Sequence, residues 1–154
     1  MQPRPRCPRS DGSELNRWEQ VFIFNHLAQG GSQPPSQKWK AFEEIPNTIS
    51  KIATLRKYAE TPIMEIFKGR LDQLAAAAQH IGGREVSADY PSADRAFLFH
   101  PLPRIPVLLL FWDEDGDDGF DANAKLLFDA TITSHLDIES IVFLSERLQQ
   151  LLCE

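Results

Sequence analysis

Residues 107–112 are six consecutive apolar residues, and this run constrains the fold more than any other feature of the sequence. A strand with one face in water alternates apolar with polar side chains, whereas a strand covered on both faces is apolar throughout. Pro103 and Pro106 precede the run, and because proline has no N–H to donate to a neighbouring strand, they place the strand start near Val107. The run therefore predicts a central strand, with Arg104 at one of its ends.

The segment after this strand is dense in carboxylates. Asp113, Asp115 and Asp117 stand at alternate positions, as oxygen ligands do in calcium-binding loops. The match is partial, because the sixth position is Asp118 rather than glycine and the twelfth is Ala124 rather than glutamate. Two interpretations follow: Asp113, Asp115 and Asp117 bind a divalent cation, or the segment is a solvated acidic turn between two strands. The partial match favours the solvated turn.

Further candidates for a binding site are Arg104, Trp112, Phe120, Asp129 and His135. Trp112 and Phe120 flank the carboxylates, where aromatic side chains either pack in the core or form a surface for a ligand. The others stand at predicted ends of strands and helices, as does His100, and binding groups often cluster at such ends. These polar residues and the acidic segment either form a rim at one end of the sheet or are scattered over the surface.

The composition is that of one globular domain. The chain has 154 residues, of which 42% are hydrophobic, and is therefore long enough to bury a core. We assign the domain to residues 13–154. Residues 1–12 interleave arginine with proline, a composition typical of a disordered tail. Cys7 and Cys153 stand near opposite ends of the chain, so the sequence indicates neither a disulfide framework nor a thiolate metal site.

Charge and hydropathy argue against two classes of partner. The formal net charge is −6 and no stripe of Lys and Arg appears in the body of the chain, whereas nucleic-acid binding requires a basic surface. A membrane span requires about 18 consecutive apolar residues, and no stretch of this sequence is that long. The N-terminus also lacks the apolar core of a secretory signal. We therefore expect neither nucleic acid nor a membrane as partner, and a cytoplasmic location.

Helical periodicity precedes the predicted sheet and returns after it. Apolar residues recur at helical spacing over residues 14–29, 38–46, 48–59, 62–81 and 138–152. The first of these segments is so aromatic that we predict a core helix. Gly69 lies inside the fourth, where it costs about 1 kcal/mol relative to alanine, so we expect it to mark a close approach by another element. Asp137 is predicted to cap the last helix.

Between the fourth and the last of these helical segments, the apolar residues follow the spacing of strands. Residues 84–88, 96–100, 107–112 and 125–128 predict a small sheet, in which the acidic segment joins neighbouring strands as an antiparallel hairpin with a long connection. The predicted fold class is α+β, with N-terminal helices packed on a small, mainly antiparallel sheet and a C-terminal closing helix. No GxSxG, Walker, HExxH or paired CxxC motif occurs, so the sequence gives no support to the chemistries that these motifs perform.

The C-terminal portion carries a resemblance. It combines PRIP at residues 103–106, an apolar strand ending in Trp112, an acidic stretch ending in Phe120, LFD at 127–129, HLDIES at 135–140 and a final amphipathic helix. This combination resembles an uncharacterised prokaryotic family, a domain of unknown function found mostly in anaerobes. Some members carry a four-cysteine iron–sulfur domain of the corrinoid-protein type on the same chain. We find no such domain in this sequence, and its arginine–proline start suggests either an N-terminally shortened copy or a misplaced gene start.

Three hypotheses of function remain. The resemblance implies a non-catalytic accessory or binding module that docks on a redox, iron–sulfur or corrinoid protein, with no cofactor of its own. The acidic segment suggests instead a metal-dependent enzyme or divalent-ion-binding protein, with His100 or His135 as acid or base. The third hypothesis is a truncated remnant without independent function, which predicts poor solubility because apolar surface would be uncovered. The absence of a catalytic motif favours the first.

Overall fold

The computed structural model describes residues 15–29 and 31–154. The predicted tail at residues 1–12, including Cys7, lies outside them. The helices are α1 (Arg17–Gln29), α2 (Ile52–Leu55), α3 (Thr61–Phe67), α4 (Leu71–His80) and α5 (Ile138–Cys153). The strands are β1 (Trp39–Ala41), β2 (Arg84–Glu85), β3 (Arg95–Leu102), β4 (Ile105–Trp112) and β5 (Asn123–Asp129). Among the described residues, no helix combines the length and the apolar character needed to cross a membrane.

The described strands form one antiparallel sheet in the order β1-β5-β4-β3-β2. Strand β4 lies at its centre and is buried from Ile105 to Phe111, which confirms the central strand predicted from the apolar run. It begins two residues earlier than predicted. Pro106 is accommodated because the pairing of β3 with β4 is irregular between Phe99 and Leu102, so the missing N–H interrupts no regular ladder.

Helices cover one face of the sheet, and the main core lies between them. Alternate strand residues such as Phe97, Leu109 and Leu126 point into this core, where α3, α4 and α5 pack. The helix that closes the chain is α5, which starts where predicted because Asp137 Oδ1 accepts a hydrogen bond from the N–H of Ser140 at 2.7 Å. This arrangement confirms the predicted α+β class, with a C-terminal closing helix.

The opposite side of the sheet, which we call the open face, carries a second and smaller apolar cluster. Ala96, Leu108 and Leu110 are buried there, and Trp39 and Tyr90 are among the partly buried residues that pack against them. No helix of the described chain covers this cluster; the segment from residue 86 to 94 folds over one edge of it. The open face is therefore accessible between the aromatic side chains.

The helix predicted over residues 62–81 is wrong in its continuity, because it breaks between α3 and α4. Gly69 has φ of +69°, a conformation that side chains with a β-carbon rarely adopt. A β-carbon at this position would meet nothing within 4 Å, so the glycine is needed for the backbone turn. The predicted approach by another element is made to its backbone, because the Gly69 N–H donates to Asp113 Oδ1 at 2.7 Å. Before α3, a π-helical turn (Arg56–Glu60) continues α2 directly into α3. This wide turn immediately precedes Pro62, which removes an N–H from the helical ladder.

Residues 38–46 have helical apolar spacing but are too few to form a stable helix without docking, and they form no α-helix. Trp39 to Ala41 form the edge strand β1, and a 3-10 turn (Phe42–Glu44) follows. Trp39 pairs with Asp129, about ninety positions away, and a pairing of such range leaves no trace in local periodicity. The apolar spacing has a different cause: Trp39 packs on the open face, whereas Phe42 and Ile45 enter the main core.

Candidate functional site

A cavity of about 490 Å³ lies on the open face of the sheet, and we call it the open-face cavity. Leu98 and Leu108 contribute to it from neighbouring strands, because strand alternation places them on the face opposite Phe97 and Leu109. Trp39 on β1 also lines it, together with Tyr90 beyond β2. This combination of an apolar floor with aromatic walls is typical of small-molecule sites, whose volumes run from about 300 to 1,000 Å³.

Asp129 holds the chain segment that forms one side of the cavity. Its side chain is only 1% exposed, and its Oδ1 accepts hydrogen bonds from Ser36 N and Oγ, both at 3.0 Å, and from Thr131 N and Oγ1 at 2.9 and 2.7 Å. Its Oδ2 accepts one from Gln37 N at 2.8 Å. A buried carboxylate without donors would be strongly destabilising, so these bonds fix residues 36 and 37 against the end of β5.

These contacts also perturb the Asp129 carboxyl. Burial, the largest single influence, raises its pKa, but the hydrogen bonds from Thr131, Ser36 and Gln37 together hold the pKa below the ordinary value of 3.8. The carboxylate is thus ionised and fully engaged in binding the chain. Asp129, which the sequence analysis named as a candidate binding residue, borders the cavity, while its oxygens accept hydrogen bonds from within the chain.

Gln37 adopts a left-handed backbone conformation beside the cavity, with φ of +61°. A residue with a β-carbon in this region is strained, and such strain persists only where the surroundings enforce it. Here the enforcing contact is the bond from the Gln37 N–H to Asp129. Gln37 lines the cavity together with Trp39, which follows it by two residues.

The cavity also carries charged groups. Arg84 and Asp89 line it and are exposed, and His100 stands with them. Among the described residues, the side chains of Arg84 and Asp89 have no hydrogen-bond or ion-pair partner. The nearby Arg95 contrasts with them, because it binds Glu85 at 2.6 Å. An unpaired guanidinium and an unpaired carboxylate therefore face the same cavity.

Of the two alternatives for the polar residues and the acidic segment, a single rim or a scattered distribution, the structure favours the scattered one. Arg104 is exposed in the turn between β3 and β4, near the end of the sheet where Asp129 lies, whereas the acidic segment follows the far end of β4. Eight strand residues separate these ends, or roughly 26 Å at the rise of a strand. The structure brings His100 and Asp129 to one cavity and leaves Arg104 and the acidic segment outside it.

His135 is fully buried on the helical side of the sheet. Its Nε2 donates to the carbonyl oxygen of Gln33 at 2.9 Å, and its own carbonyl oxygen accepts from His26 Nδ1 at 3.1 Å. A β-carbon at Gly31 would lie 2.5 Å from His135 Nδ1, so the backbone passes directly against the imidazole. His135 thus anchors residues 31–33 and is closed to solvent.

Two of the three carboxylates considered as metal ligands, those of Asp113 and Asp115, accept hydrogen bonds from backbone amides. Asp113 Oδ1 accepts from Gly69 N at 2.7 Å and from Glu114 N at 2.9 Å. Asp115 Oδ1 accepts from Asp117 N at 3.0 Å, which closes a turn within the loop. Within the described ranges, no group of three or more His, Cys, Asp or Glu side chains is placed to hold a metal ion.

The two aromatic residues that flank this loop differ in environment. Trp112 is half-buried against the open-face cluster, and its Nε1 donates to the carbonyl oxygen of Ser92 at 2.6 Å. Phe120 is 70% exposed, although its backbone exchanges hydrogen bonds with Asp115. Trp112 therefore packs, and Phe120 is an isolated apolar side chain on an acidic loop.

Helix α1 carries four of the eight large hydrophobic side chains that are exposed among the described residues. Trp18, Val21, Phe24 and Leu27 are exposed along one side of it, with 69% of Trp18 and 66% of Leu27 accessible, and we call this set the α1 outer face. The predicted core helix is therefore buried on one side only. Apolar residues surround the helix axis, and such a pattern in an isolated chain indicates a helix that lacks a partner on one side.

The opposite side of α1 is firmly attached. Asn16 and Glu19 form a reciprocal capping box, with both backbone-to-side-chain distances at 2.9 Å. Glu19 also pairs with Arg147 of α5 at 3.0 Å, and the ring of Phe22 lies 5.3 Å from that of Phe143. These contacts set the orientation in which the outer face meets solvent.

A second cavity surrounds a buried carboxyl that sequence reasoning missed. Glu60 is 4% exposed at the end of the π-helical turn, and its Oε2 accepts a hydrogen bond from Leu126 N at 2.8 Å. Burial, the leading influence, raises its pKa above 4.5. The cavity it borders, about 360 Å³, is also lined by Arg56 and Lys125. A single glutamate in a helical segment gives no sequence signal that it will be buried.

Comparison with protein-family models gives a match over most of the chain. No curated protein and no solved structure shows significant similarity to it. A family model described as a domain of unknown function, DUF3786, matches residues 4–150. That match includes the strands, the open-face cavity and the helices described above. The chain therefore belongs to the DUF3786 family, a domain of unknown function.

Proposed function

We propose that this protein is a non-catalytic accessory module of the cytoplasm that docks on a partner protein through the α1 outer face. The observation that carries the proposal is the exposure of Trp18, Val21, Phe24 and Leu27 on a helix whose other side is fixed to the body. Large exposed apolar patches on otherwise polar surfaces mark interaction sites, and tryptophan is enriched among the residues that dominate binding energy.

The proposed partner is a redox protein of the iron–sulfur or corrinoid type. The family resemblance supplies this choice, because some relatives carry a four-cysteine iron–sulfur domain on the same chain. A cluster of that kind needs four thiolates, and this sequence contains only two cysteines. Under the proposal, the partner holds the cluster and the present chain contributes the docking surface.

Binding of a purified four-cysteine iron–sulfur domain of the corrinoid-protein type tests the proposal, measured by calorimetry with the cluster intact. The matched variants are Trp18→Glu on the α1 outer face and Phe120→Glu on the acidic loop, since the two aromatic side chains are about equally exposed. We expect Trp18→Glu to weaken binding at least thirtyfold, the effect of losing about 2 kcal/mol at a central interface residue. Phe120→Glu should leave it unchanged.

Other outcomes would overturn the proposal in distinguishable ways. Absence of binding by the wild-type chain would rule out this partner class. Loss of binding with Phe120→Glu but not with Trp18→Glu would move the interface to the acidic loop. If the wild-type chain is a dimer and Trp18→Glu makes it a monomer, the α1 outer face is a contact between two copies of this chain rather than a docking surface for another protein.

A further inference from the structure

We propose that the open-face cavity binds a small aromatic zwitterion of amino-acid size, with a carboxylate and an ammonium group. The inference is independent of docking by α1, because the cavity is on the sheet face and none of its lining residues belongs to that helix. It rests on three properties of the cavity: its walls, its charges and the way the chain holds it open.

The walls select an aromatic ligand. Trp39 and Tyr90 line the cavity and are partly buried by the small open-face cluster, so their rings are fixed on one side and accessible on the other. Leu98 and Leu108 form an apolar floor. Aromatic rings favour offset or edge-to-face contact with another ring, and an apolar floor favours a ligand whose body is also apolar.

The charges select a ligand that carries both signs. Arg84 and Asp89 line the same cavity, and among the described residues neither side chain has a hydrogen-bond or ion-pair partner. A guanidinium binds a carboxylate in a bidentate manner, and an aspartate accepts from an ammonium group. The other carboxylate at the cavity, Asp129, is already occupied by five hydrogen bonds from the described residues and has no free role toward a ligand.

The segment that shapes one side of the cavity is held rigidly. The bonds to Asp129 fix residues 36 and 37, and Gln37 takes its left-handed backbone conformation there at φ of +61°. Contacts within the chain therefore hold Gln37 at the cavity beside Trp39. A preformed site loses less conformational entropy on binding than one that must be ordered by its ligand.

Three probes that share a benzene ring and differ in charge test the proposal: L-phenylalanine, 3-phenylpropanoate and 2-phenylethylamine. Binding to the full chain is followed by amide chemical shifts in titrations at pH 7. We expect L-phenylalanine to bind more tightly than either singly charged probe, with shifts that centre on residues of the cavity. Arg84→Gln and Asp89→Asn are the informative variants, because both side chains are exposed and their replacement leaves the core intact.

Arg84→Gln should raise the Kd of L-phenylalanine and of 3-phenylpropanoate at least fivefold and leave that of 2-phenylethylamine unchanged. Asp89→Asn should weaken L-phenylalanine and 2-phenylethylamine and spare 3-phenylpropanoate. Arg104→Gln is the matched control, since Arg104 is an exposed arginine outside the cavity.

Absence of saturable binding by all three probes would overturn the proposal. Equal affinities for the three probes would also overturn it. A loss of affinity in Arg104→Gln as large as that in Arg84→Gln would do the same. Trp18→Glu should not alter probe binding, which separates this test from that of the docking function.

Discussion

The backbone N–H of Leu126 donates to Oε2 of Glu60 at 2.8 Å, and this bond joins the π-helical turn to strand β5. Strand β1 pairs with β5 only from Leu127 onward, so Leu126 lies just beyond the last residue that β1 reaches. A buried N–H requires an acceptor. Glu60 supplies it from the helical layer, which explains why a carboxyl is tolerated at 4% exposure.

Removal of this acceptor should destabilise the protein. Glu60→Ala leaves the buried Leu126 N–H without its partner, and we expect the free energy of unfolding to fall by about 1–3 kcal/mol. Glu60→Gln retains an amide oxygen at the same place, so its effect should be much smaller. Urea unfolding at pH 7 measures both. Equal losses in the two variants would show that the hydrogen bond is not the contribution that matters.

The pH dependence of the Glu60 contribution follows from the direction of its pKa. Burial raises the folded pKa above the model-peptide value of 4.5, so the unfolded state loses its proton first as the pH rises. Stability from this group is fully present below pH 4.5 and is lost as the pH rises through the folded pKa. The free energy of unfolding of Glu60→Gln minus that of the wild type should therefore become more positive between pH 4 and pH 8. A constant difference across that range would contradict the raised pKa.

Asp129 predicts the opposite slope. Its folded pKa lies below 3.8, so its contribution is present above that pH and is lost as the pH falls through the folded value. Asp129→Asn replaces one acceptor oxygen by an NH₂ group that faces the donors of Ser36, Gln37 or Thr131. We expect a loss of about 1.5–3 kcal/mol at pH 7, as for hydrogen bonds to charged groups, and a smaller loss near pH 2. Asp117→Asn, at an exposed loop position, is the control and should change little.

The sequence predicted the elements whose signals are local. The six apolar residues of β4 and the cap of α5 at Asp137 both correspond to strong, short-range patterns, and the structure has both. Strand β1 was missed because three residues owe their conformation to pairing with β5, whose residues are about ninety positions away. The open-face cavity depends on Trp39 of that strand, so the site was missed with it.

Two of the predicted binding residues have structural roles that sequence could not show, because burial is a property of the assembled chain. Asp129 and His135 were predicted as binding residues from their position at element ends, and the fold uses both to fasten the segment between α1 and β1. Helix α1 was predicted to lie in the core because it is aromatic, yet Trp18 on it is 69% exposed and lines an open groove beside α5. When apolar residues occur on every side of a helix, the sequence does not show which side packs against the rest of the chain.

Gly69 should be sensitive to substitution for a conformational reason. Its φ of +69° is strained for any residue with a β-carbon, so Gly69→Ala should lower the free energy of unfolding by about 1–2 kcal/mol. Gly116 provides the control, because it has no positive φ and open space around the position of a β-carbon. Gly116→Ala should be neutral or slightly stabilising in the same urea experiment. A neutral Gly69→Ala would show that the break between α3 and α4 relaxes without cost.

The acidic loop should show no specific response to divalent cations. Asp113 and Asp115 each direct one carboxylate oxygen to backbone N–H groups, and a metal ion would have to displace or share those bonds. A ligand that binds only the native state raises the melting temperature in a saturable manner. We therefore expect calcium, magnesium, manganese and zinc, each compared with chelator at fixed protein concentration, to leave the melting temperature unchanged. Asp113→Asn combined with Asp117→Asn is the matched control. A saturable rise with one ion that this double variant abolishes would identify the loop as a cation site, and would favour the metal-dependent hypothesis over a purely non-catalytic module.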